Sequence, residues 1–167
     1  LKSEAQNKES ASRPKRKKPT ASSSKSNRSR KRIVGRKPNR RDWSGEDRSS
    51  NKQLQGAKLV SAKLEGTNFS GVNLDNAKMQ NSMARNANFA GASLQGTNLC
   101  GADLSGADFS GANLSNALLK HANLTDVNLA AANCTNVDFH RAKLKNVKTS
   151  GAKFKGANFE GAIRVDA

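Results

Sequence analysis

From Lys52 onward one large apolar residue returns at every fifth position: Leu54, Leu59, Leu64, Phe69, Leu74 and Met79, then Ala84, Phe89, Leu94, Leu99, Leu104 and Phe109. The register continues without slip through Leu114, Leu119, Leu124, Leu129, Cys134, Phe139, Leu144, Thr149, Phe154 and Phe159, which makes 22 consecutive units. Two residues before each centre from Leu59 on stands a small side chain, as at Ala57, Ala62, Thr67, Val72 and Ala77, and two residues after it Gly or Asn dominates, as at Gly56, Gly66 and Gly71. A period of five matches neither the 3.6 of an amphipathic helix nor the 2 of a half-buried strand. A fixed short period instead predicts a solenoid. In each unit one large and one small side chain turn inward, and Gly or Asn supplies a turn conformation that other residues resist.

The runs Ala-Asp-Leu-Ser-Gly at 102–106, Ala-Asp-Phe-Ser-Gly at 107–111 and Ala-Asn-Leu-Ser-Asn at 112–116 resemble the pentapeptide-repeat family. The likeness extends from residue 52 to about residue 161, and 18 of the 22 centres are Leu or Phe. It implies an all-β fold, a right-handed quadrilateral β-helix with four pentapeptides to the coil, so that residues 20 apart stack in columns. The 22 units then make about five and a half coils, a rod roughly 26 Å long at strand spacing. Ala84 and Thr149 under-fill their columns and are expected to leave voids or local softness. Cys134 is expected to face inward and Cys100 outward on another face, too far apart for a disulfide.

Ahead of the repeat the pattern vanishes. Residues 1–50 contain only Leu1, Ile33, Val34 and Trp43 as sizeable apolar side chains, so this stretch is expected to be an extended tail joined to a solenoid over 51–167. Charge divides in the same way: 17 basic and 5 acidic residues in 1–50, against 13 and 8 in 51–167, for a total of +17. The cations cluster at Lys15, Arg16, Lys17 and Lys18 between Pro14 and Pro19, at Arg28, Arg30, Lys31 and Arg32, and at Arg36, Lys37, Arg40 and Arg41. Clustered cations on a self-repelling chain track phosphates with little sequence preference. A targeting role competes with this reading, since the stretch also resembles an organellar transit peptide, and Pro14–Pro19 a nuclear localisation signal. Leu1 in place of Met fits a processed or trimmed chain. Within the repeat no Lys or Arg falls between Asn86 and Leu119, whereas Arg141, Lys143, Lys145, Lys148, Lys153 and Lys155 crowd the last full coil. Lys52, Lys58 and Lys63 form a smaller patch near the tail.

Candidate chemistry adds little. The sequence has no paired-cysteine zinc spacing, Walker loop, dinucleotide fingerprint or Ser-His-Asp order, and its Gly and Ser residues are explained by the repeat. His121 and His140 fall on neighbouring coils without a third ligand, and Asp103 and Asp108 read as solvated flanks of the repeat. No apolar run approaches the roughly 18 residues of a membrane span, and no signal-peptide hydrophobic region precedes the basic stretch. All six Phe occupy the inward position and Trp43 stands alone, so no platform for stacking bases is expected.

The sequence therefore reads as a non-enzymatic structural protein that binds RNA, with no cofactor, small-molecule substrate or membrane partner. Its basic tail threads among the phosphates of a folded RNA, ribosomal RNA being the specific expectation, within a larger ribonucleoprotein in an organellar matrix or stroma. The solenoid serves as a rigid docking body whose C-terminal coil meets other proteins. The alternatives are a DNA-, chromatin- or nucleoid-associated factor, nuclear in location, and a protein-assembly scaffold. Imitation of duplex DNA by acidic dimeric rods, an activity within the family, is rejected because the charge has the wrong sign.

Overall fold

The computed structural model describes residues 42–164, which contain no helix. Every unit contributes one bridging residue, and the bridges join parallel neighbours 20 positions apart: Gln53 with Asn73, Lys58 with Lys78, Lys63 with Met83, Asn68 with Asn88, and so on to Lys143 with Ile163. Four such columns wind the chain into the right-handed quadrilateral β-helix. Each centre from Leu54 to Leu144 donates its amide to the next coil, as Leu54 does to the Asn73 carbonyl at 2.8 Å and Phe89 to the Asp108 carbonyl at 2.7 Å.

Corners are turns closed from the centre to the residue three further on, for instance the Ala77 amide to the Leu74 carbonyl at 2.9 Å. The second residue after every centre from Gly56 to Gly161 has a positive φ, the conformation that the third position of a type II turn requires and that Gly and Asn tolerate best. Centres and small residues from Leu59 to Leu144 form one continuous buried core. Phe69, Phe89 and Phe109 stack down one column, with centroid separations of 5.2 and 4.7 Å.

The solenoid starts earlier than the boundary at residue 50. Asp42 bridges Lys63 and Asp47 bridges Asn68, offsets of 21 in place of 20. Asp42-Trp43-Ser44-Gly45 is itself a repeat unit, and one extra residue between Asp47 and Gln53 breaks the count that otherwise reveals it. Trp43 and Arg48 take the two centre positions and cover the first coil: the indole lies 6.2 Å from Phe69, and the Arg48 guanidinium 4.2 Å above it.

Candidate nucleic-acid interface

Outward positions just before the centres explain how the rod is bound together and where it changes character. An Asn or Asp there accepts the amide two residues on, as Asn73 does from Asp75 at 2.9 Å and Asp108 from Ser110 at 2.8 Å. Where Asn stacks on such a residue, its amide group also donates to the coil before: Asn128 to Asp108 at 3.0 Å, Asn133 to Asn113 at 3.2 Å, Asn123 to Asp103 at 3.1 Å. Asp103 and Asp108 are thus ladder residues, a role their spacing did not disclose. Burial raises the Asp103 carboxyl, but hydrogen bonds from Arg85 and Ser105 outweigh it and hold the group below its ordinary value.

On the last coil the ladder stops on three faces. Lys143 follows Asn123, Lys148 follows Asn128, and Lys153 follows Asn133. A lysine side chain has no acceptor with which to close the local turn. Lys145 and Lys155 flank Leu144 and Phe154 from the other side, and all five side chains are exposed. Among the described residues none of the five forms an ion pair; the pairs present are Arg48–Glu46, Arg85–Asp103, Lys120–Asp138 and His140–Glu160. Exposed Arg141 and Arg164 extend the band. Lys58, Lys63 and Lys78 occupy equivalent positions near the first coil, leaving the middle of the rod to the Asn and Asp ladder.

The structure therefore brings Lys143, Lys145, Lys148, Lys153 and Lys155 onto one end. The other expected binding residues, Lys15, Arg16, Lys17, Lys18, Arg28, Arg30, Lys31, Arg32, Arg36, Lys37, Arg40 and Arg41, lie outside the described residues. With Asp42–Ser50 assigned to the solenoid, the segment before it holds sixteen basic and two acidic residues.

Two expectations about the interior need amendment. Phe154 and Phe159 are only partly buried, because the coil that would cover them is not among the described residues. Thr149 is exposed and, together with Leu129, Phe139, Leu144, Phe154 and Phe159, lines a cavity of about 180 Å³ at the last coil; Ala84, by contrast, is fully buried.

Cys134 is buried in the lumen, which pushes its thiol up to about 12, and Cys100 lies partly exposed on another face; both are free. His121 and His140 meet edge to face at 6.0 Å. Among the described residues no group of three metal-ligating side chains forms.

The family model described as pentapeptide repeats (8 copies) matches residues 53–89, 85–120 and 122–161. No curated protein matches the chain. Among solved structures, a pentapeptide repeat protein from the cyanobacterium Cyanothece 51142 is 30% identical with a TM-score of 0.36, over 62% of this chain and 65% of that one. HetL, a pentapeptide repeat protein involved in heterocyst differentiation regulation in Nostoc sp. strain PCC 7120, is 26% identical with a TM-score of 0.34, over 74% and 63%. A pentapeptide repeat protein of the Arabidopsis thaliana thylakoid lumen is 37% identical with a TM-score of 0.29, over 60% and 63%. The chain thus spans just under two thirds of each of these relatives.

Proposed function

The chain belongs to the pentapeptide-repeat family, and from that premise we propose that it is a non-enzymatic structural protein that binds RNA. Its basic N-terminal segment and the cationic last coil contact phosphates, and the solenoid acts as a rigid docking body. The observation that carries this reading is the replacement of Asn by Lys at 143, 148 and 153. Three consecutive faces give up a stabilising hydrogen-bond ladder on the last coil and gain exposed charge there. Stability does not ask for that exchange, whereas phosphate contact does. The narrow grooves of a folded RNA admit an extended basic chain better than a globular domain, and ribosomal RNA in an organelle is the assembly such an architecture suits.

Co-purification at low salt, followed by nuclease treatment, tests the reading. Ribonuclease is expected to release the protein from a large particle. Release by deoxyribonuclease alone would transfer the role to DNA, and indifference to both nucleases with a stable protein partner would make it a scaffold.

A further inference from the structure

One face of the rod changes character twice along its axis. Its column is Lys63, Met83, Asp103, Asn123 and Lys143, each bridged to the next, and the two lysines stand four coils apart, roughly 19 Å at strand spacing. Lys58 and Lys78 stack on the preceding face near Lys63, while Arg141 and Lys145 accompany Lys143. All six cations are exposed, and none forms an ion pair among the described residues. Between the two groups charge is cancelled or absent: Arg85 meets Asp103 at 2.6 Å, and Asn123 and Thr125 follow. Glu65 is the other carboxylate of the face.

Hydroxyls occupy this middle stretch in a fixed sense. Ser105 Oγ donates to Asp103 Oδ1 and Thr125 Oγ1 donates to Asn123 Oδ1, both at 2.8 Å. Each has committed its one proton to the ladder, so toward solvent each can only accept. The opposite face has no cation at its outward positions from Gln53 to Thr135, so it lacks the first cationic group.

We propose that this face lies across the minor groove of double-helical RNA. This deepens the RNA-binding reading and rests on it. The minor groove of A-form RNA is wide and shallow and displays ribose 2′-hydroxyls between the phosphates of its two strands. The order cation, hydroxyl acceptor, cation along the rod matches the order phosphate, 2′-hydroxyl, phosphate across that groove. Lys58, Lys63 and Lys78 contact one strand, Arg141, Lys143 and Lys145 contact the other, and Ser105 and Thr125 accept from 2′-hydroxyls between them. Duplex DNA offers no 2′ donor, and its minor groove is only about 6 Å wide.

The test uses fluorescence anisotropy on the full chain with five probes: an RNA duplex, the same duplex with 2′-fluoro ribose, which keeps the A form without a 2′ donor, the DNA duplex and the RNA single strand of that sequence, and polyglutamate. Wild type should prefer the RNA duplex to the 2′-fluoro duplex by about tenfold, the worth of two ordinary hydrogen bonds. Ser105→Ala with Thr125→Val should abolish that preference while leaving 2′-fluoro binding within about twofold, and a melting curve verifies that the variant folds. Replacing Lys58, Lys63 and Lys78 together by Gln should weaken duplex binding by about tenfold or more, and Glu65→Gln should tighten it by about twofold. Equal affinity of wild type for the RNA and 2′-fluoro duplexes overturns the proposal, as does indifference to both sets of charge changes. Binding of the single strand but not the duplex overturns it and leaves RNA binding standing. Binding of the DNA duplex as tightly as the RNA duplex overturns it and moves the role to DNA, and binding of polyglutamate but neither RNA overturns both readings.

Discussion

Ser82 occupies an inward position that Ala62 and Ala102 fill one coil before and one coil after it. It is 1% exposed, and among the described residues its hydroxyl has no hydrogen-bond partner. The other buried hydroxyls on small inward positions escape this cost: Thr67 donates to the Trp43 carbonyl and Thr97 to the Leu74 carbonyl, both at 2.8 Å. A buried polar group without a partner costs about 1–3 kcal/mol, and alanine fits the same space. Ser82→Ala should therefore raise stability by about 1 kcal/mol in chemical denaturation; a loss of stability would mean that the hydroxyl has a partner after all. Corner positions show a comparable fit between neighbours. Asn76 leans over Gly96 of the next coil, its Oδ1 2.7 Å from where a Cβ would stand, so the glycine provides space as well as a positive φ.

At the scale of the element, the unit of stability is the column of stacked centres. Phe69, Phe89 and Phe109 form a continuous ring stack, and each residue of it is supported from both sides along the axis. Phe89→Ala removes the middle ring and leaves a cavity that the closed coils above and below cannot fill, so a loss of about 3–5 kcal/mol is expected. Solenoid stability is transmitted between nearest neighbours. Hydrogen exchange should accordingly quicken first in the coils on either side of Phe89, with the last coils affected least; uniform loss of protection along the rod would contradict the column as the cooperative unit. Lys143, Lys148 and Lys153 belong to this scale too, because each is abnormal only by comparison with the Asn 20 residues earlier. The period reveals that these lysines face outward. That they interrupt a ladder becomes visible only when coils are laid on one another.

Across the whole described solenoid, cations sit toward the ends and the Asn and Asp ladder holds the middle. If the last coil contacts phosphate, replacing Lys143, Lys145, Lys148, Lys153 and Lys155 together by Gln should flatten the dependence of RNA affinity on salt. Each contact to single-stranded nucleic acid contributes about 0.7 to the slope of log affinity against log salt, so a change of up to ~3.5 is expected from binding measured across a salt series. An unaltered slope would place all phosphate contact in the basic N-terminal segment. The fold should survive the change, since none of the five side chains is buried or ion-paired among the described residues.

The sequence by itself determined the architecture, because a repeat of five assigns each side chain to the inside, the outside or a corner through local geometry alone. It likewise determined that Cys134 faces the core and that Lys143–Lys155 share one end. Tertiary structure decided what depends on residues 20 apart. The six-residue step after Asp47 hid the first unit from a periodic count, yet backbone pairing with Lys63 and Asn68 absorbs it. Phe154 and Phe159 hold the same position in the repeat as the four buried phenylalanines, and their partial exposure follows from the absence of a covering coil among the described residues. Burial is a property of neighbours along the axis, and a period within the chain carries no information about whether those neighbours are there.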